Sequence, residues 1–394
     1  METIPQVVEK SRKSRQDIGT STSTSTSTST IARTHKGVAV EAVTIKDVAA
    51  RAGVSVGTAS RVLSGNPATS ADTRERVAAA AAELDYQPNA QAQALRSTRT
   101  NSLGLLVPDV RNPFFADLAH AAEQAALSAG YVTLLGNANE RNDQQDRYLD
   151  TLISRRVDGV IVAPVGDDGG RLRALIERKV PTVLVDRTVP GLDLPSVTTD
   201  SESGIRQAVQ HLADLGHTRI GYISGPQATS TGRDRFAAFT RAVAEAGLSQ
   251  DPDLVYFGDY QAASGSAGVH ALMQLASPPT ALLAADSLMA VGAISILHRL
   301  GLQIGTDIAL VAFDDIEWFA LLNPALSVIA HSVEDMGRIA IDLLLQVIAG
   351  ETPDSVVLPS ELIVRASSAT PITPAPIDHI PANPTTQPEQ RSQQ

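Results

Sequence analysis

The chain has 394 residues, 43% hydrophobic and 19% charged, an ordinary globular composition spread over more chain than one core accommodates. It has no cysteine, which excludes disulfide frameworks, thiolate zinc sites and cysteine nucleophiles. The net charge of −11 is unevenly placed: residues 1–99 hold 13 Lys/Arg against 9 Asp/Glu and the remainder 19 against 34, so one end can approach a polyanion while the rest is acidic. No apolar run reaches the roughly 20 residues of a membrane helix. The first thirty residues lack the apolar stretch of a secretory signal, so the sequence reads as cytoplasmic, without a membrane partner.

Residues 1–42 contain a Ser-Thr repeat from Ser21 to Thr30 and almost no large apolar side chains, which predicts a disordered tail. Residues 43–87 carry three short helical patterns. Thr44 and Asp47 form a capping pair ahead of Ile45, Val48, Ala49 and Ala52, which share one face, and Gly53 ends that helix. Ser55 caps a second helix with Ala59, Val62 and Leu63 inside; Ser70 caps a third with Val77, Ala81 and Leu84 inside. Two short helices around a tight glycine turn, closed by a third, make a helix-turn-helix unit. Residues 88–100 follow as a hinge helix or linker.

From residue 101 to 369 buried strands alternate with amphipathic helices: LGLLVPD (103–109), YVTLLGN (131–137), GVIVAP (159–164), PTVLVD (181–186), RIGYISG (219–225), LVYFGD (254–259), ALLAA (281–285) and IALVAFDD (308–315). Continuous apolar strands with crossover helices mean parallel sheets covered on both faces. Roughly ten such strands predict an α/β core of two successive doubly wound subdomains. Ligands of such sheets sit at the carboxyl ends of the strands, where Asp109, Asn137, Asp186-Arg187 and Asp314-Asp315 fall. Residues 370–394, rich in Pro, Gln and Thr, read as a second disordered tail; they show no leucine heptads.

The segment TIKDVAARAGVSVGTASRVLSGNPATSADTRERVAAAAAELDYQPNAQAQALRS (44–97) resembles the DNA-binding headpiece of the lactose-repressor (LacI/GalR) family. The likeness runs on through GHTRIGYISGP (216–226), DIALVAFDD (307–315) and DMGRIA (335–340), covering residues 44–368. The resemblance implies that the second helix enters the major groove of a pseudo-palindromic double-stranded operator, with Val56 and Gly57 at the two positions that vary to choose it. Because both are small and apolar, hydrogen-bond readout falls to Arg61, which can pair with guanine, and to Ser60. Ser55 and Thr58, beside the helix N-terminus, suit phosphate contacts; Thr44 and Asn89 complete the DNA-facing set. Ala90–Arg96 matches the family's hinge helix, folded only when two protomers sit on DNA, with Leu95 at the position of its minor-groove wedge. The core resembles sugar-binding proteins of periplasmic type. On that likeness Asn112, Phe114, Phe115, Asp186, Arg187, Arg235, Asp314 and His331 line an effector cleft, an aromatic face and an Arg–carboxylate pair being suited to a sugar ring and its vicinal hydroxyls. Ala285 and His331 depart from the family's usual Asn and Gln, and Ala238 from the glycine of R-x-x-G-F.

Catalysis finds no support in motifs: there is no G-x-S-x-G elbow, P-loop or H-E-x-x-H. No cofactor is called for. The sequence reads as a homodimeric transcriptional repressor controlled by a sugar or sugar phosphate; a regulator controlled by a partner protein or non-sugar metabolite, and a sugar receptor without DNA function, are the alternatives.

Overall fold

A computed structural model describes residues 43–63, 69–86, 99–167 and 169–368. The chain divides into two compact units between Pro88 and Asn89. The expectations for the two tails, for Asn89 and for the hinge with Leu95 lie outside the described residues.

The first unit is a three-helix bundle: α1 (Ile45–Ala52), α2 (Val56–Leu63) and α3 (Ala71–Glu83). Thr44 and Asp47 close a reciprocal capping box, and Gly53 ends α1 in a left-handed conformation (φ +66°) that suits glycine. The core is built from small residues (Val48, Ala49, Ala52, Ala59, Val77 and Ala80), so the helices approach closely. Arg76 of α3 donates from Nη2 to the carbonyls of Ala52 (2.7 Å) and Gly53 (3.2 Å), satisfying the end of α1 and tying the bundle together.

The second unit has two lobes, each a six-stranded sheet. In the first, β1 (Ser102–Val107), β2 (Val132–Asn137), β3 (Gly159–Val162), β4 (Thr182–Val185), β5 (Ser196–Thr199) and β11 (Val356–Leu358) lie parallel in the order β11-β5-β4-β3-β1-β2. The second repeats that order with β6 (Ile220–Ser224), β7 (Val255–Phe257), β8 (Ala281–Ala284), β9 (Ala309–Phe313), β10 (Ser327–Ala330) and β12 (Glu361–Ile363) as β12-β10-β9-β8-β6-β7, where only β12 is antiparallel. Helices α4 (Pro113–Ser128), α5 (Asn142–Arg155) and α6 (Leu172–Glu177) serve the first sheet. Helices α7 (Ser201–Asp214), α8 (Ser230–Glu245), α9 (Ala262–Met273) and α10 (Ser287–Arg299) serve the second.

The lobes are interleaved rather than successive, which corrects the sequence-based expectation. After β10 the chain returns to the first lobe, where α11 (Val333–Ala349) buries Met336, Ala340, Ile341 and Leu344 with Leu118 and Ile161, and then adds β11 before β12 goes back to the second. Gly337 permits the approach: a Cβ there would stand 2.7 Å from that of Ala121 on α4. Periodicity shows that a helix buries a face but not which sheet receives it, and the short β5, β10, β11 and β12 carry too little pattern to be read. The chain therefore crosses between lobes three times: at Asp200, at His331-Ser332 and at Pro359-Ser360, two of them joined by a Ser360 Oγ–Asp200 carbonyl hydrogen bond (2.5 Å).

Candidate functional site

On the three-helix unit, Ser55 begins α2, its hydroxyl accepting from the Thr58 N–H (3.1 Å) and meeting the Thr58 hydroxyl at 2.9 Å. Val56, at the first turn of α2, is half-buried and packs in part against the small core. Gly57 and Arg61, one turn apart, are exposed, and the Arg61 Nε donates to the Gly57 carbonyl at 3.3 Å. A Cβ at Gly57 would meet nothing closer than the Ser55 hydroxyl at 3.9 Å, so this face presents open backbone with one cation beside it. Ser60 is half-buried, and Thr44 is exposed but committed to its cap.

Between the lobes the strand ends bring together most of the predicted effector residues. Asn112 caps α4 by accepting from the Phe114 N–H (3.0 Å) and reaches across to the second lobe, donating Nδ2 to Asp286 Oδ2 (2.9 Å) and accepting from the Ser287 hydroxyl (3.1 Å). Arg187, directly after β4, sends both terminal nitrogens to Glu140 (2.8 and 2.9 Å) and lies between the rings of Phe115 (5.6 Å) and Tyr260 (5.0 Å). Arg235 of α8 donates to the Ala285 carbonyl (2.7 Å), rests 3.6 Å above the Phe313 ring and faces Asp186 across the lobes at 3.9 Å. Phe114 packs edge-on against Phe115 and tilted against His331. A cavity of about 120 Å³ remains beside them, bounded by Asp186, Thr199, Ser201, Thr231 and Arg235.

Several buried polar atoms in this cluster have no hydrogen-bond partner: Nε of Arg187 and of Arg235, Oδ1 of Asp314 and both ring nitrogens of His331. A buried donor or acceptor left unmade costs about 1–3 kcal/mol, so such a concentration is characteristic of a site built for a polar guest. Burial, reinforced by the charge of Asp314, pushes the Asp286 carboxyl up to about 7. Burial likewise raises Asp314 to about 6 despite the opposing charge of Arg235. His331 moves the other way, down to about 3, through burial and the same Arg235, so it stays neutral at physiological pH instead of sensing protonation.

Sequence reasoning left Glu140, Tyr260 and Asp286 out of the cleft. Asp286 caps α10, accepting from the Met289 N–H (2.8 Å), while its other oxygen bridges to Asn112. The signal for Glu140 was its place just past β2 at the carboxyl edge of the sheet; nothing local marked Tyr260. Trp318, half-open to solvent, packs edge-on upon Phe319. Two larger hollows, about 670 Å³ beside Leu302 and Pro324 and about 510 Å³ beside Pro181 and Pro195, lie ahead of strands at the opposite edges of the sheets. Among the described residues no cluster of His, Asp and Glu is arranged to hold a metal ion, and no helix is long and apolar enough to cross a membrane.

Residues 44–89 match the family of bacterial regulatory proteins described as the lacI family, and residues 209–368 match a periplasmic binding protein-like domain. The chain is similar to the HTH-type transcriptional repressor PurR of Aliivibrio salmonicida, 35% identical over 305 residues that span 77% of this chain and 91% of the relative. Among solved structures it is similar to the lac repressor dimer bound to operator and the anti-inducer ONPF (TM-score 0.74, 29% identity, 84% of this chain and 100% of that one). It is also similar to the transcriptional regulator CelR in complex with cellobiose (TM-score 0.63, 32% identity, 82% and 99%).

Proposed function

This chain belongs to the lacI family of bacterial regulatory proteins, and from that premise we propose that it is a cytoplasmic, homodimeric transcriptional repressor whose hold on a pseudo-palindromic operator is set by a small ligand between the lobes. The observation that carries the ligand half is the convergence of unpartnered polar atoms on Arg187, Arg235, Asp314 and His331 where the lobes meet. In this reading residues 43–87 read DNA, residues 88–100 form the hinge, residues 101–369 bind the effector and dimerise, and no catalytic step or cofactor is involved. One three-helix unit reads too few base pairs for specificity, so two act together. The effector is a sugar-like molecule, in keeping with the cellobiose named for the similar CelR complex. Its binding is coupled to operator affinity by on the order of 1–3 kcal/mol.

The test is titration of the purified protein against duplex DNA from its own genomic neighbourhood, with and without a panel of sugars. Arg61→Ala should lower affinity for the operator about 10-fold or more while sparing non-specific DNA, in line with about 1–3 kcal/mol for a bidentate guanine contact. Equal loss on all sequences would make Arg61 a phosphate contact. Leu95→Ala should reduce operator bending, and an unchanged bend angle would remove the wedge from the account.

A further inference from the structure

The cleft encloses more carboxyls than guanidiniums, and burial pushes Asp186, Asp286 and Asp314 towards their neutral forms. Glu140, Asp186, Asp286 and Asp314 stand around two guanidiniums, and both guanidiniums are already engaged. The Arg187 fork is filled by the two oxygens of Glu140, and Arg235 is held by the Ala285 carbonyl and the face of Phe313. Glu140 is fixed in that place by an unusual backbone. Asn139 and Glu140 are both left-handed (φ +51° and +52°), and the Glu140 N–H donates to the Pro108 carbonyl at 2.9 Å. Its carboxylate accepts the same two parallel N–H bonds that a phosphate would take from an open arginine fork.

We propose that Glu140 is a specificity-determining residue: by occupying the Arg187 fork it makes the cleft select uncharged polyhydroxylated ligands, such as a free sugar or the ribose of a nucleoside, and turn away their phosphorylated forms. The proposal rests on reading the cleft as the effector site. What the lobes leave without a hydrogen-bond partner agrees with it: the Nε of each arginine, that of Arg187 standing 3.5 Å from Asp186, one carboxylate oxygen of Asp314 and the nitrogens of a neutral His331. Hydroxyls, which donate and accept singly, satisfy such a set, whereas a dianion finds the Arg187 fork closed by Glu140 and stands among the buried carboxyls of Asp186 and Asp314.

The test uses the full-length protein and, first, inorganic phosphate at constant ionic strength, followed by calorimetry and thermal unfolding. Glu140→Gln should bind phosphate at least ten times more tightly than the unaltered chain, and Glu140→Ala covers the case in which Gln still caps the fork. The gain should vanish in a Glu140→Gln, Arg187→Met double variant. An equal phosphate response in the unaltered chain and both single variants overturns the proposal, as does a gain that survives in the double variant, since the anion would then sit elsewhere. A second arm compares ribose with ribose 5-phosphate, glucose with glucose 6-phosphate, and adenosine with its monophosphate. Preference of the unaltered chain for any phosphorylated member overturns the proposal, and preference for a free sugar or a nucleoside identifies the source. Should no free compound bind while Glu140→Gln still gains phosphate, the role of Glu140 stands and the effector reading is the one that fails.

Discussion

The ends of β4 and β9 occupy the same place in two sheets of the same strand order, and both run into a buried aspartate in the left-handed conformation, Asp186 (φ +61°) and Asp314 (φ +71°). Aspartate tolerates that conformation better than most side chains, and the Asp186 carboxyl faces Arg235 of the other lobe. The next residue separates the lobes. Arg187 turns inward and is buried against Glu140, whereas Asp315 turns outward and pairs with Arg365, whose side chain keeps partial contact with solvent. The second lobe brings its inner cation from a helix instead, as Arg235 of α8. The sheet scaffold thus fixes where carboxylates converge but leaves the origin of their counter-charge open. Burial, more than pairing, then separates what each ion contributes.

That difference can be broken first at Arg235. Arg235→Met keeps the apolar stem over Phe313 but leaves Asp314 and Asp186 buried with less counter-charge and the Ala285 carbonyl without its donor. A buried pair losing one partner destabilises by about 3–5 kcal/mol, and that loss should appear in urea unfolding of the full-length protein. A change below about 1 kcal/mol would mean that water screens the cluster and that the inner and outer ions are equivalent.

Asp314 gives a smaller effect with a defined pH signature. Its folded pKa of about 6 lies above the ordinary 3.8, so the folded state holds the proton more tightly than the unfolded chain does. Stability from this group is therefore greatest at low pH, falls as pH rises from about 4 to about 6 and is level above that, by on the order of 2–3 kcal/mol. Asp314→Asn retains a residue suited to the left-handed backbone and removes the titration. The variant should gain on the unaltered chain between pH 4.5 and 6.5 and run parallel above. A constant difference across that range would place Asp314 among ordinary solvated carboxylates.

The two units were unequally legible in the sequence. In the three-helix unit each determinant is local: the Thr44–Asp47 cap, Gly53 and the Ser70 cap lie within four residues of what they organise, so pattern and structure coincide. The strands of the lobes were legible as apolar runs, and Arg187 and Arg235 through the motifs that carry them. Glu140 and Tyr260 were not, because they reach Arg187 from loops 47 and 73 residues away, a proximity set by the order of strands and by the closing of one lobe on the other. The interleaving of the lobes was hidden for the same reason. The apolar face of α11 is plain in its sequence, but its partner, α4, lies more than two hundred residues upstream.

The smallest expected effect belongs to the outer pair and sharpens the contrast most. Arg365 forks onto Asp315 (2.6 and 2.8 Å) and also donates to the Leu326 carbonyl (2.9 Å), so its geometry is as good as that of Arg187 on Glu140. If geometry set the energy, the two forks would be equivalent. Because Asp315 and Arg365 keep part of their surface in water, the exchange of hydration for pairing is nearly balanced, and the coupling measured by a double-mutant cycle with Arg365→Met and Asp315→Asn should be about 0.5–1 kcal/mol. It should shrink further in 0.5 M salt, where exposed charges are screened, while the Arg235→Met effect holds. A coupling above about 3 kcal/mol, insensitive to salt, would show that alignment and not burial governs both strand ends.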